Sequence, residues 1–167
     1  MAAKERIIDP SQYDVNQIVA DLDEIRKYNP QRFEMEQLTA TLYEDPQESI
    51  CVGYLDLADD EFWIRGHMPG FPLMPGVLMC ESAAQMASYF TQKYDLMGLK
   101  EDQFMGFGGM EDIRFRGTVR PGDRMILEEK LIRIRRGAMS VARFQAFVGA
   151  DLVCEGVIKG VVLSRPE

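Results

Sequence analysis

From Met68 to Gln92 the chain runs for twenty-five residues with one charge, Glu81, although 28% of its residues are charged. A stretch of that kind has to be buried, and the rest of the fold must be built around it. It does not suit a membrane span, because Pro69, Pro72 and Pro75 break its first part. The run therefore divides in two. Gly66 to Pro75 reads as a loop, and a helix is predicted from about Gly76 to about Met97, with Gly98 as its stop. Such a helix is roughly 33 Å long. Apolar residues lie nearly all round it, which marks a central, buried element. An unpaired carboxylate inside it is costly, so Glu81 must shift its pKa or find a partner. His67, the single histidine, opens the loop just upstream. One imidazole and one isolated carboxyl so close together make a candidate acid/base pair.

The remaining segments read in order around that helix. Asp9-Pro10 looks like a cap followed by a first-turn proline. Tyr13, Val15, Ile18, Val19, Leu22 and Ile25 then recur at roughly helical spacing, predicting a helix over about 9–28 that ends at Asn29-Pro30. Strands are predicted over 35–43 and 50–57, with a further short one at 61–65. Gly106-Phe107-Gly108-Gly109-Met110 lacks the ending of a phosphate loop and reads as a flexible connection or a strand bulge. Four more strands follow, at about 111–119, 123–135, 138–149 and 152–164, with turns at Arg120-Pro121-Gly122-Asp123, Arg136-Gly137 and Gly149-Ala150-Asp151. The fold class is α+β: a long central helix wrapped by an antiparallel β-sheet, with an extra N-terminal helix. One domain over residues 1–167 is expected, with about 1–28 as an N-terminal helical extension.

Composition narrows the partners. A pI near 4.8 and the lack of any recognised motif argue against nucleic acid. Residues 1–60 carry a net charge of −9 and residues 61–167 a net charge of +1. Nine arginines and lysines face three acids within 113–143, either solvated strand faces or a docking surface for an acidic partner. Three cysteines without CxxC spacing, and first residues without an apolar core, point to a reducing cytoplasm and no secretory signal. One histidine and no Cys/Asp cluster leave no metal-ligand set, and no cofactor is expected.

The segment GHMPGFPLMPGVLMCESAAQ resembles the signature of the hot-dog-fold 3-hydroxyacyl-acyl-carrier-protein dehydratases. His67, Pro69, Pro72, Met74, Pro75, Gly76, Val77, Leu78, Glu81, Ala84 and Gln85 fit its pattern. Arg114-Phe115-Arg116, Arg120-Pro121-Gly122-Asp123 and Arg135-Arg136-Gly137 match a second block, so the resemblance covers about 25–165. It implies a hot-dog fold and a homodimer, or a trimer of dimers, with histidine and glutamate meeting across the interface. It also implies an acyl-phosphopantetheine substrate on acyl carrier protein. Arg114, Arg116, Arg120, Arg135 and Arg136, with Arg124 as a further candidate, would meet that acidic carrier.

The chemistry of dehydration fits these residues. His67 is the natural base for the C2 proton, and Glu81 the natural acid for the departing C3 hydroxyl. Helix N–H groups at Gly76 and Val77 would receive the thioester oxygen, and Gly76 would let it come close. Gln85, Phe71 and Met74 complete the expected substrate-binding set, and several of the eleven methionines would line an acyl tunnel. Several positions depart from the family pattern. In Pro30-Gln31-Arg32-Phe33-Glu34 the family's histidine and second proline are missing, Met68 replaces a phenylalanine, and no tyrosine precedes the Arg-Phe block. A hot-dog thioesterase or isomerase, or a non-catalytic acyl-binding relative, remains open beside the dehydratase.

Overall fold

Residues 5–166 are described by a computed structural model. Strands β1 (Ala40–Asp45), β2 (Ile50–Asp56), β3 (Gln103–Phe115), β4 (Arg124–Arg135), β5 (Met139–Val148) and β6 (Asp151–Ser164) form one antiparallel sheet. Its order is β1-β2-β4-β5-β6-β3, so β1 and β3 are the edges. A single-turn helix, α1 (Leu22–Ile25), precedes the sheet, and the long helix α2 (Gly76–Lys93) crosses its inner face. This is the hot-dog fold.

The central helix is buried for the reason its composition dictates. Leu78, Met79, Ala83, Met86, Tyr89 and Phe90 are 9% exposed or less, and they pack on Leu55, Leu127, Phe144 and Ile158 of the sheet. It stops at Lys93, one turn earlier than its sequence predicts. Tyr94 caps it, and Asp95 (φ 48°) and Gly98 (φ 61°) then turn the chain away. Near that end Glu44 of β1 is buried and takes four hydrogen bonds: from Thr41 Oγ1 (2.5 Å), Tyr89 OH (2.8 Å), Tyr94 OH (2.7 Å) and Lys93 Nζ (2.7 Å). The cluster ties the sheet edge to the helix.

The predicted helix over 9–28 is not there. A 3₁₀ turn forms at Pro10–Gln12, capped by Asp9 as the sequence implies, and only α1 follows. Local competition explains the difference. The Asp14 carboxylate takes the Asn16 N–H, Val19 N–H goes to the Thr41 carbonyl, and Thr41 N–H goes to Ala20. The helical spacing of Val15, Ile18 and Val19 is thus spent on an extended segment along β1, and these side chains stay exposed. Upstream, residues 5–13 cross the outer face of the sheet as a strap. Ile8 packs on Val52, Ile126 and Phe147, Arg6 pairs with Glu128 at 2.6 Å, and Ile7 N–H bonds Gln145 Oε1. Burial raises the Glu128 carboxyl above its usual range despite Arg6, and it pushes the Tyr13 hydroxyl beside it up to about 12.

Three smaller expectations also shift. Residues 61–65 form turns, with Ile64 N–H on the Glu61 carbonyl and Gly66 N–H on that of Trp63. The 35–39 stretch is a 3₁₀ turn at Phe33–Met35 and its exit, so β1 starts at Ala40. The glycine-rich 106–110 segment lies inside β3, with a register shift between Phe107 and Gly109, the bulge alternative of its sequence reading. All three cysteines are free and buried. No helix among the described residues is long and apolar enough to cross a membrane.

Candidate active site

The loop before α2 is held by its own backbone. His67 N–H bonds the Trp63 carbonyl (2.8 Å), Leu73 N–H returns to the His67 carbonyl (2.9 Å), and Met74 N–H reaches Val119 (2.8 Å). Met68 and Phe71 close a small reciprocal turn between them. The imidazole is fixed in the same way, with His67 Nδ1 2.8 Å from the Leu73 carbonyl oxygen. A carbonyl only accepts, so Nδ1 carries a proton, and in the neutral ring the lone pair lies on Nε2. That is the tautomer a base needs.

Gly76 and Val77 begin α2, and neither N–H has a backbone partner. A Cβ on Gly76 would sit 2.7 Å from the Phe115 ring, so glycine here also makes room for packing. Val77 is 66% exposed and Phe71 52%, both open to an incoming molecule. Met74 is not open: it is 4% exposed and packs in the main core, so its expected contact with substrate is replaced by anchoring of the loop.

Glu81 has found a partner rather than standing alone. Gln85, one turn on, donates from Nε2 to Glu81 Oε1 at 2.7 Å. Gln85 is itself saturated: Nε2 also donates to the Met35 carbonyl (2.7 Å), and Oε1 accepts Gln37 N–H (2.9 Å). Asn29 Nδ2 binds the Gln85 carbonyl (2.9 Å). With both amide hydrogens used, Gln85 orients Glu81 and has no further hydrogen to donate. Asn29 and Gln37 are absent from the sequence-based set, because their roles arise only when the 29–37 segment folds against α2. Replacing Gln85 with Met leaves Glu81 Oε1 without its partner and, on an acid role for Glu81, is expected to lower kcat by about 10² with KM little changed. Steady-state kinetics at full folding, checked by circular dichroism, reads this out.

Glu81 opens into a cleft between α2 and the β3–β6 end of the sheet. Ala84, Ala87 and Ser88 extend its wall along the helix, Met105 to Phe107, Ser140 and Ile158 to Gly160 form the other side, and Gln31 completes it. His67 is not among the lining residues.

The arginines separate into spent and free. Arg116 is bound to buried Glu155 (Nε to Oε1, 2.8 Å), Arg124 to Asp56 (2.6 and 2.7 Å), and Arg136 to the Asp95 carbonyl at the end of α2 (2.6 Å). Arg120 lies over the Phe71 ring, 4.9 Å from its centre, and so borders the His67 loop. Arg114 and Arg135 are exposed and make no ion pair among the described residues.

The chain is similar to known proteins. The FabA-like domain model matches residues 29–157. A 3-hydroxyacyl-acyl-carrier-protein dehydratase FabZ from Polynucleobacter necessarius is 34% identical over 148 residues, covering 89% of this chain and 96% of its own length. The FabZ of Syntrophobacter fumaroxidans is 38% identical over 144 residues, with 85% and 93% covered. Among solved structures, the dehydratase heterocomplex ApeI:P from Xenorhabdus doucetiae superposes with a TM-score of 0.68 at 12% identity, covering 86% of this chain and 91% of that one. The fluoroacetyl-CoA-specific thioesterase FlK superposes at 0.57 and 13% identity, with 69% and 85% covered. Both structures share the fold with this chain.

Proposed function

The chain belongs to the FabA-like domain family, a family of hot-dog dehydratases, and on that premise we propose that it removes water from a 3-hydroxyacyl thioester borne on acyl carrier protein. The observation that carries the reading is the His67 tautomer: a histidine with Nδ1 locked on a carbonyl and Nε2 free, set just before a helix that bears an oriented carboxyl.

His67 Nε2 takes the C2 proton, and the electrons of that bond become the C2–C3 double bond as the C3–O bond breaks. Gln85 holds Glu81 Oε1, so the acid proton sits on Oε2 and passes to the departing hydroxyl, which leaves as water. The thioester oxygen gathers charge meanwhile and is met by the N–H groups of Gly76 and Val77 at the positive end of α2. Return of the proton from His67 to Glu81 through solvent resets the site.

The separation of His67 from the Glu81 cleft supports a dimer in which each site takes one residue from each copy. The free edge of β3 offers the seam: it is thirteen residues long and carries exposed Phe107, Met110 and Phe115. Arg120, Arg114 and Arg135 are the cations left to meet the acidic carrier.

The test is hydration of crotonyl thioester, on carrier protein and on coenzyme A, followed by loss of the enoyl absorbance. Reversible hydration is expected. Release of free thiol without hydration would identify a thioesterase and overturn the reading.

A further inference from the structure

We infer that the acyl chain accepted by this site carries a hydroxyl group well beyond the reacting carbons. The inference rests on the dehydratase reading of the Glu81 cleft and specifies its substrate.

A plain alkyl tail asks for an apolar wall, and this cleft sets polar side chains among Ala84, Ala87, Met105, Phe107 and Ile158. Ser88 lies seven residues past Glu81 on the same face of α2, about 10 Å along the helix axis. Its Oγ accepts from Gln92 Nε2 at 2.9 Å, and its own proton is unused. Ser140, on β5, is 2% exposed and makes no side-chain hydrogen bond among the described residues. Its Oγ is aimed over Gly160 of β6, where a Cβ would come within 2.9 Å of it. Glycine at 160 makes room for the Met105 methyl (2.6 Å from such a Cβ) beside the Ser140 hydroxyl. Gln31 Oε1 is buried without a partner in the same cleft.

Two donors and one acceptor therefore share the wall. Packing methylene groups against them would leave the two serine protons and the Gln31 oxygen without partners. A hydroxyl on the substrate both donates and accepts, so it can bond an amide oxygen or a serine hydroxyl. The one cation present, Lys159, is already paired with Glu111, so the wall suits a neutral polar group rather than a carboxylate. Sites built to bond a hydroxyl discriminate strongly against analogues that lack it.

The experiment uses matched 3-hydroxyacyl pantetheine thioesters over a ladder of lengths. Each pair has equal length, and one member ends in a methyl group, the other in a hydroxyl. At the length that reaches Ser140, kcat/KM is expected to favour the hydroxylated member by tenfold or more in the wild type. Ser140→Ala, and separately Ser88→Ala, should bring that ratio toward one, with thermal melting to certify the folded state. A wild type that prefers the methyl member, or treats both alike at every length, overturns the inference and leaves the dehydratase reading standing. A ratio unmoved by both variants overturns it as well. Turnover of neither member at any length overturns the dehydratase reading, and the inference falls with it.

Discussion

Mixing two dead variants should give back a live enzyme. His67→Ala and Glu81→Gln are each expected to lose about 10² to 10⁴ of the crotonyl hydration rate, the share a positioned base or acid supplies. If His67 and Glu81 of one site come from different copies, a mixed dimer holds one site with both residues intact and one with both replaced. Refolding the two variants together at equal amounts makes half of the dimers mixed, so about a quarter of the wild-type activity returns. The quantity to measure is the rate after co-refolding against each variant refolded alone. Activity that stays at the level of the single variants would mean that both groups act from one chain, and the β3 seam would lose its main support. The prediction follows from the cleft itself, which contains Glu81 and not His67.

Stability should depend most sharply on Glu44. Its carboxylate sits among Thr41, Tyr89, Tyr94 and Lys93, and its side chain is 1% exposed. Glu44→Ala removes the shared acceptor of a largely buried ammonium and three hydroxyls, a loss of about 3–5 kcal/mol. For a chain of this size that lowers Tm by roughly 10 °C or more. Glu44→Gln, which keeps shape and one acceptor, should fall between. Burial alone would raise the Glu44 pKa, but the hydrogen bonds from Lys93, Thr41, Tyr94 and Tyr89 outweigh it and leave the carboxyl below its usual range. On acidification the unfolded chain therefore takes up the proton first. The stabilisation is complete above the ordinary carboxylate range and drains away as pH falls through that range and past the folded value. Chemical denaturation at neutral and at acid pH checks this: the gap between wild type and Glu44→Gln should shrink in acid. A gap that holds constant would mean the cluster acts through packing alone.

The parts of the fold that could be read from sequence are those where one residue type dictates one outcome. Three prolines and a lone charge in an apolar run fixed the loop, the start of α2 and the candidates His67 and Glu81. Gly122, Gly137 and Gly149 marked turns that carry positive φ in the structure. The N-terminal segment misled because apolar spacing does not say where backbone hydrogen bonds go, and Val19 and Ala20 give theirs to Thr41. The start of β3 was hidden by glycines that weaken a strand signal while fitting against Leu163 and Val161. Within the site, the four-residue spacing of Glu81 and Gln85 was in plain view, yet Gln85 looked like a substrate ligand because its other partners, Met35 and Gln37, lie about fifty residues away. Ser140 belongs to a strand that meets α2 only in three dimensions, and no local pattern announces it.

The strand order has a bearing on how the protein comes to life during synthesis. β3 leaves the ribosome soon after α2, but its neighbour in the sheet among the described residues is β6, which is made after β4 and β5. Until β6 arrives, β3 has two bare edges, and the wall of the Glu81 cleft does not exist. His67, its loop and the helix that carries Glu81 are all translated early, yet they wait for β6 before they can face a substrate. The nascent chain thus lacks a finished cleft until β6 is made, and the β3 edge is exposed for the same interval.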